Sequence, residues 1–201
     1  MFLKGINDNP LSNKWKKRYS IQSDEVKEKL DALNQMNPKD YQLRSIKKSN
    51  VAPRDGDIFV LSPREDIFFY GKVLNAEINH LTKDTFINGN CLVFLFNRKT
   101  TELNSDKFKA EYDNLLISPV IVTNNYWKKG LFFTVGNETV SEEERNLDYG
   151  FYSIGKRKYF KENGLELPNQ PLILGTHGIA TITGVASQIE KEIIINPNIL
   201  D

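Results

Sequence analysis

The 201-residue chain has one cysteine, two histidines and two methionines. A lone cysteine, Cys91, excludes an intramolecular disulfide framework and any zinc site built on several thiolates. His80 and His177 stand far apart, and neither has a second ligand at metal spacing. No metal and no cofactor are therefore expected. The formal net charge is only +1, so no strong global field draws the chain to nucleic acid or to an anionic membrane. The opening MFLKGINDNP has no apolar stretch of signal-peptide length, and no run approaches the ~20 apolar residues of a membrane span. A cytoplasmic location follows as the expectation. Also missing are a P-loop, a dinucleotide fingerprint, a GxSxG elbow, an internal repeat and any low-complexity tract.

What is present is an ordinary globular balance, with 39% hydrophobic and 26% charged residues, which argues against wholesale disorder. Twelve Phe, eight Tyr and two Trp suit pleated, half-buried β surfaces better than a helical bundle. Cys91 itself lies in the apolar run CLVFLF and reads as a small buried hydrophobe.

Residues 1–50 differ from the rest. Lys14, Lys16, Lys17 and Arg18 surround Trp15 and suggest a basic, partly mobile arm. Ser23 is a candidate N-cap, with Asp24 and Glu25 in the first turn. Val26, Leu30, Leu33 and Met36 then line one helical face until Asn37-Pro38 ends it. From Arg54 the pattern becomes short strands. Asp57–Leu61 and Ile67–Leu74 read as a hairpin about a charged turn, and Cys91–Phe96 reads as a strand covered on both faces. The three should share one sheet. Phe108, Tyr112 and Leu115 predict a short helix over Asp106–Leu116. Pro119–Thr123, Leu131–Val135, Tyr149–Ile154, Lys158–Phe160, Leu172–Leu174 and Ile179–Val185 are further strand candidates. Ile189, Ile193 and Ile194 fit either a final helix or a final strand. Ser141 with Glu144 forms a capping-box pattern. The expected fold is α+β and mainly β: a twisted antiparallel sheet or half-barrel with an N-terminal helix and one or two short helices. It divides into a basic, helical extension (1–50) and a mainly β domain (51–201).

Convergent polar groups suited to catalysis are scarce. His177 sits in GTHG, whose glycines fit a turn between strands better than an oxyanion or phosphate loop. His80 reads as a loop or surface residue. Neither supports a catalytic assignment, so a non-enzymatic binding protein is expected. Glu142, Glu143 and Glu144 form a compact acidic cluster that is either a solvated face or a patch complementary to a basic partner. Trp127, followed by two lysines and Gly130, is either an exposed anchor or a core aromatic. The KWKKR run of Lys14–Arg18 could touch phosphates, yet no RNP-like strand or helix-turn-helix accompanies it.

Three stretches carry a resemblance: GDIFVL (Gly56–Leu61), FYGKVL (Phe69–Leu74) and LISPVIVTNNYWKKGLFFTVG (Leu116–Gly136). Together they resemble the immunity protein 26 family of bacterial polymorphic toxin systems, over roughly residues 54–190. The matching positions are Gly56, Asp57, Phe59, Gly71, Lys72, Val73, Pro119, Trp127 and Gly130. The resemblance implies no catalytic residues and a partner that is a cognate protein toxin, such as a nuclease, held by direct binding and occlusion. Glu142–Glu144 and Trp127 are then the candidate contact residues. A nucleic-acid-binding SH3-like β-barrel module is the alternative, since a Gly-Asp-Ile-Phe strand before a Gly-Lys-Val strand also occurs there. Physically, Phe59 and Val73 should face inward, Gly71 should allow close approach between strands, and Asp57 and Lys72 should pair across the ladder.

Overall fold

The computed structural model describes residues 9–201. The Asn9 side chain accepts the Ser12 N–H at 3.0 Å, and Pro10 occupies the first turn, where its missing N–H costs nothing. These two residues start helix α1 (Pro10–Ser20), so the basic run is helical where the sequence suggested a partly mobile arm. Ser23 caps α2 (Asp24–Leu33) as expected, its hydroxyl accepting the Val26 N–H. Leu30 and Leu33 are buried, but the helix stops at Leu33 and Met36 is exposed. The apolar stripe is thus one turn shorter than its spacing predicts. Tyr41 and Leu43 are buried and carry the chain onto the main sheet.

Five antiparallel strands form that sheet: β1 (Asp57–Arg64), β2 (Ile67–Asn75), β3 (Cys91–Thr100), β4 (Leu115–Val122) and β5 (Phe132–Asn137). Their order is β4-β3-β2-β1-β5. The predicted hairpin is β1–β2, turning at Glu65-Asp66, where Asp66 adopts φ 56°, a left-handed conformation that aspartate tolerates. All three strands predicted to share a sheet do so. In β3, Cys91, Val93 and Leu95 enter one core beside Phe59 and Val73. Leu92, Phe94 and Phe96 enter another on the opposite face. A strand buried on both faces needs no alternation, which is why CLVFLF is continuously apolar. Pro119 is tolerated in β4 because that strand lies at the sheet edge.

The helix predicted over Asp106–Leu116 does not form. Residues 101–114 run through bends and turns, and Leu115 already belongs to β4. The helix-like spacing has another cause. Phe108 and Tyr112 close over Phe96, with ring centroids at 5.5 and 5.3 Å, and so cover the second core.

A smaller sheet follows, ordered β8 (Glu166–Leu167), β7 (Lys158–Phe160), β6 (Tyr149–Ser153) and β9 (Ile173–Thr176). Its β6–β9 pair is parallel, the one departure from antiparallel pairing between these strands. Ile179 makes only an isolated bridge to Ile121, so Ile179–Val185 is not a strand. Thr181 instead caps α5 (Ile182–Ile195) by accepting the Gly184 N–H. Val185, Ala186, Ile189 and Ile193 form its buried stripe and join the core that holds Leu33, Tyr41, Leu43 and Phe59. The β-branched tail of the chain is therefore helical, because its stripe fits that period and a cap precedes it. No described helix is long and apolar enough to cross a membrane.

Candidate partner-binding surface

The second β-strand places a lysine where the sheet is otherwise apolar. Lys72 stands opposite Ile58 on β1 and is 2% exposed. A buried ammonium needs a carboxylate and a full set of hydrogen bonds. Glu144 supplies the carboxylate and two of those bonds, with its oxygens 2.8 and 3.0 Å from Lys72 Nζ. The same carboxylate accepts the Tyr112 hydroxyl at 2.6 Å and the Ser141 N–H at 2.8 Å. Ser141 in turn accepts the Glu144 N–H, which completes the predicted capping box around helix α4 (Glu142–Arg145). Glu138 lies 3.9 Å from Lys72 Nζ at the mouth of the network and is half-exposed.

Burial alone would raise the Glu144 carboxyl, but Lys72, Tyr112 and the Ser141 N–H together hold it below the usual carboxylate range. Burial and the Glu144 carboxylate push the Tyr112 hydroxyl up, so it remains a donor at neutral pH. The network therefore fixes the turn from residue 138 to residue 148 against the main sheet. On its outer side Glu142 and Glu143 are exposed, as is Asp148.

The acidic cluster thus splits. Glu142 and Glu143 reach solvent, whereas Glu144 is 8% exposed and its carboxylate is consumed by Lys72. Trp127 is no surface anchor: it is 1% exposed, lies edge-on to Phe59 and Phe132, and donates its Nε1–H to Thr134 Oγ1 at 3.0 Å. The short helix α3 (Asn125–Lys128) turns it inward. Gly130 follows at φ 75°, where a side chain would strike Ser45 and the Lys47 backbone, and its carbonyl accepts the Ile46 N–H at 2.7 Å. It seals the incoming segment against the sheet.

The remaining motif residues are also structural. Phe59 and Val73 are fully buried, as their pattern implies. Gly71 pairs with Phe59 across β1–β2, and any Cβ there would enter the Phe59 ring. Gly56 donates to the Val73 carbonyl at 2.8 Å and accepts from the Glu138 N–H at 2.9 Å. Asp57 does not pair with Lys72. Lys72 is opposite Ile58, one position on, so Asp57 projects to the other face. There it accepts the Arg54 N–H at 3.0 Å and the Asn137 amide at 2.8 Å.

Two further expectations change. His80 does lie in a loop, one of its two readings, but it is buried there and not on the surface, and the fold brings its ring within 6.4 Å of His177. Among the described residues no group of three or more His, Cys, Asp or Glu side chains is placed to hold a metal. In the basic run, Trp15 lies under Lys191 Nζ at 4.8 Å and Arg18 is paired with Glu192, so both are engaged within the chain. The sequence flags the lysine inside the apolar run FYGKVL, and the outcome differs only in its partner, Glu144 in place of Asp57. Such a residue demands a carboxylate, but only the fold shows which one.

A model of the family described as immunity protein 26 matches residues 54–161, more than half of the chain. The chain belongs to the immunity protein 26 family. The matched segment includes β1 to β7 and the whole Lys72–Glu144–Tyr112 network, and it ends before β9 and α5. No curated protein matches the chain. No solved structure matches it either.

Proposed function

We propose that this immunity-family chain neutralises a cognate protein toxin by direct binding and occlusion, and that Glu142 and Glu143 lie on the contacting surface. Family membership supports the immunity role. The observation that carries the contact is the anchoring of the acidic turn: Glu144 is locked to Lys72, while the two preceding glutamates are held outward. A turn fixed in advance loses little freedom on binding, which favours affinity. Its charge suits a toxin whose own working surface is basic, as a nuclease groove must be to hold phosphates. Opposed potentials then raise the association rate and set specificity.

The test is a Glu142→Lys/Glu143→Lys variant, which leaves Glu144 and its ion pair intact. It should melt like the native chain and inhibit the toxin encoded beside it far less at equal stoichiometry. Its association rate at low salt should fall at least tenfold. An unchanged association rate and full protection of toxin-expressing cells would remove the acidic turn from the interface. Failure of the native chain to bind that toxin at all would refute direct occlusion.

A further inference from the structure

The segment between β2 and β3 carries His80, which is only 3% exposed. Its Nδ1 lies 3.4 Å from the Thr82 and Asp84 backbone nitrogens and 3.1 Å from Thr82 Oγ1. Backbone N–H groups only donate, so Nδ1 accepts and the neutral ring carries its proton on Nε2. That Nε2 is buried and has no hydrogen-bond partner. It lies against Gly164, where an added Cβ would strike the ring. His177, between β9 and α5, sets its ring edge-on to His80 and 5.2 Å from Phe160. Its Nε2 is also buried and unpartnered. Buried polar atoms are rarely left so, and two in one contact call for an explanation.

The pair sits at a junction. Leu81 N–H donates to the Asn163 carbonyl at 2.8 Å, and His177 N–H donates to the Tyr152 carbonyl at 3.0 Å. The first bond joins residues 76–90, between β2 and β3, to the turn after β7; the second holds the end of β9 to β6, so His177 meets that segment only through its ring. The charged groups around the pair are few. Asp84 favours a proton on His177, whereas Lys156, 5.1 Å from the Phe160 ring, opposes it. Lys83 is bonded to Asn79. Glu162 is bonded to the Tyr149 hydroxyl and to Asn75, and Lys161 to the Leu147 carbonyl.

We propose that His177, set edge-on against His80, is a proton-operated clasp, which ties residues 76–90 to the smaller sheet while its ring is neutral and releases them on protonation. The Thr82 and Asp84 bonds to His80 Nδ1 hold while that ring keeps its place against His177. A proton on His177 would place an unpartnered charge edge-on to His80. Burial first, then His80 and Lys156, hold His177 below its ordinary value. The unfolded or opened chain therefore binds the proton more readily. The clasp is at full strength above about pH 6.5 and weakens as pH falls below it, levelling off beneath the lowered value. The proposal does not depend on the toxin-binding reading.

The test is amide hydrogen exchange on the full chain at pH 7 and pH 5, alongside NMR titration of the His177 imidazole. Protection at Thr82 and Asp84 should fall at least tenfold more than protection in β3, with a midpoint that follows His177. A His177→Phe variant keeps the ring contact but cannot take the proton, so its protection should change far less. Equal acid opening in that variant would overturn the clasp. If the variant fails to fold, the native chain decides alone: unchanged Thr82 and Asp84 protection while His177 titrates would also overturn it.

Discussion

Replacing Lys72 with methionine removes the ammonium but keeps most of the side chain's length. Glu144 would then remain 8% exposed, with the Tyr112 hydroxyl and Ser141 N–H but no counter-charge. Breaking a buried pair from one side costs about 3–5 kcal/mol, because the surviving charge stays desolvated. For a chain of this size each kcal/mol shifts the melting temperature by about 2–4 °C. Lys72→Met should therefore lower it by roughly 6–20 °C. Glu144→Gln strands the lysine instead, with only half-exposed Glu138 at 3.9 Å to replace the lost carboxylate. The double variant has no buried charge left and should recover much of the loss, so the two changes are not additive. Thermal and urea unfolding of all four proteins gives the coupling directly. The pH dependence is a second readout. Glu144 is held below the usual carboxylate range, so its contribution is present above about pH 4.3 and lost as pH falls through the lowered value. In Lys72→Met that acid-side slope should shrink. Single variants that each cost under about 1 kcal/mol and simply add would refute the ion pair as the anchor of the acidic turn.

Three other outcomes are expected. Gly71→Ala forces a methyl into the Phe59 ring and should cost at least the ~1–3 kcal/mol of core overpacking; Phe59→Leu in the same chain should recover part of it in a melting experiment. Cys91 donates to the Ala76 carbonyl, and burial pushes its thiol up to about 12, so a thiol reagent at pH 8 should label it only after unfolding. Rapid labelling of the folded chain would refute this. A fragment limited to residues 54–161 lacks Leu33, Tyr41, Leu43, Val185, Ala186, Ile189 and Ile193 from the first core and should not melt cooperatively; a sharp calorimetric transition would show otherwise.

Period and punctuation made most of the main sheet legible. The β1–β2 hairpin, the doubly buried β3 and the cap of α2 follow from alternation, apolar runs and Ser23. Spacing misled where aromatic residues served a lid instead of a helix, as with Phe108 and Tyr112 over Phe96. It was silent where burial depends on distant pairing. Lys72 and Glu144 are 72 positions apart, and nothing local to Glu144 names Lys72 as its partner. The capping box hints at its role, because it turns that side chain back towards Ser141 and away from solvent. His80 and His177 look isolated in sequence for the same reason: only the meeting of two sheets brings them together.

The burial of the motif residues bears on what family membership can transmit. Phe59 and Val73 are fully buried, Trp127 is 1% exposed and Lys72 is 2% exposed. None can touch a partner while the chain stays folded. These residues build a framework: a glycine that admits an aromatic ring, a tryptophan that fills the core, and a lysine that fixes an acidic turn. On the proposed reading, discrimination among toxins would come from side chains that this framework displays, since specificity is a difference of affinities between surfaces. Glu142 and Glu143 are such side chains, and so are Leu81 and Phe86 on the segment between β2 and β3. Changes at these exposed positions alter what the chain meets without the core penalties attached to Gly71 or Lys72.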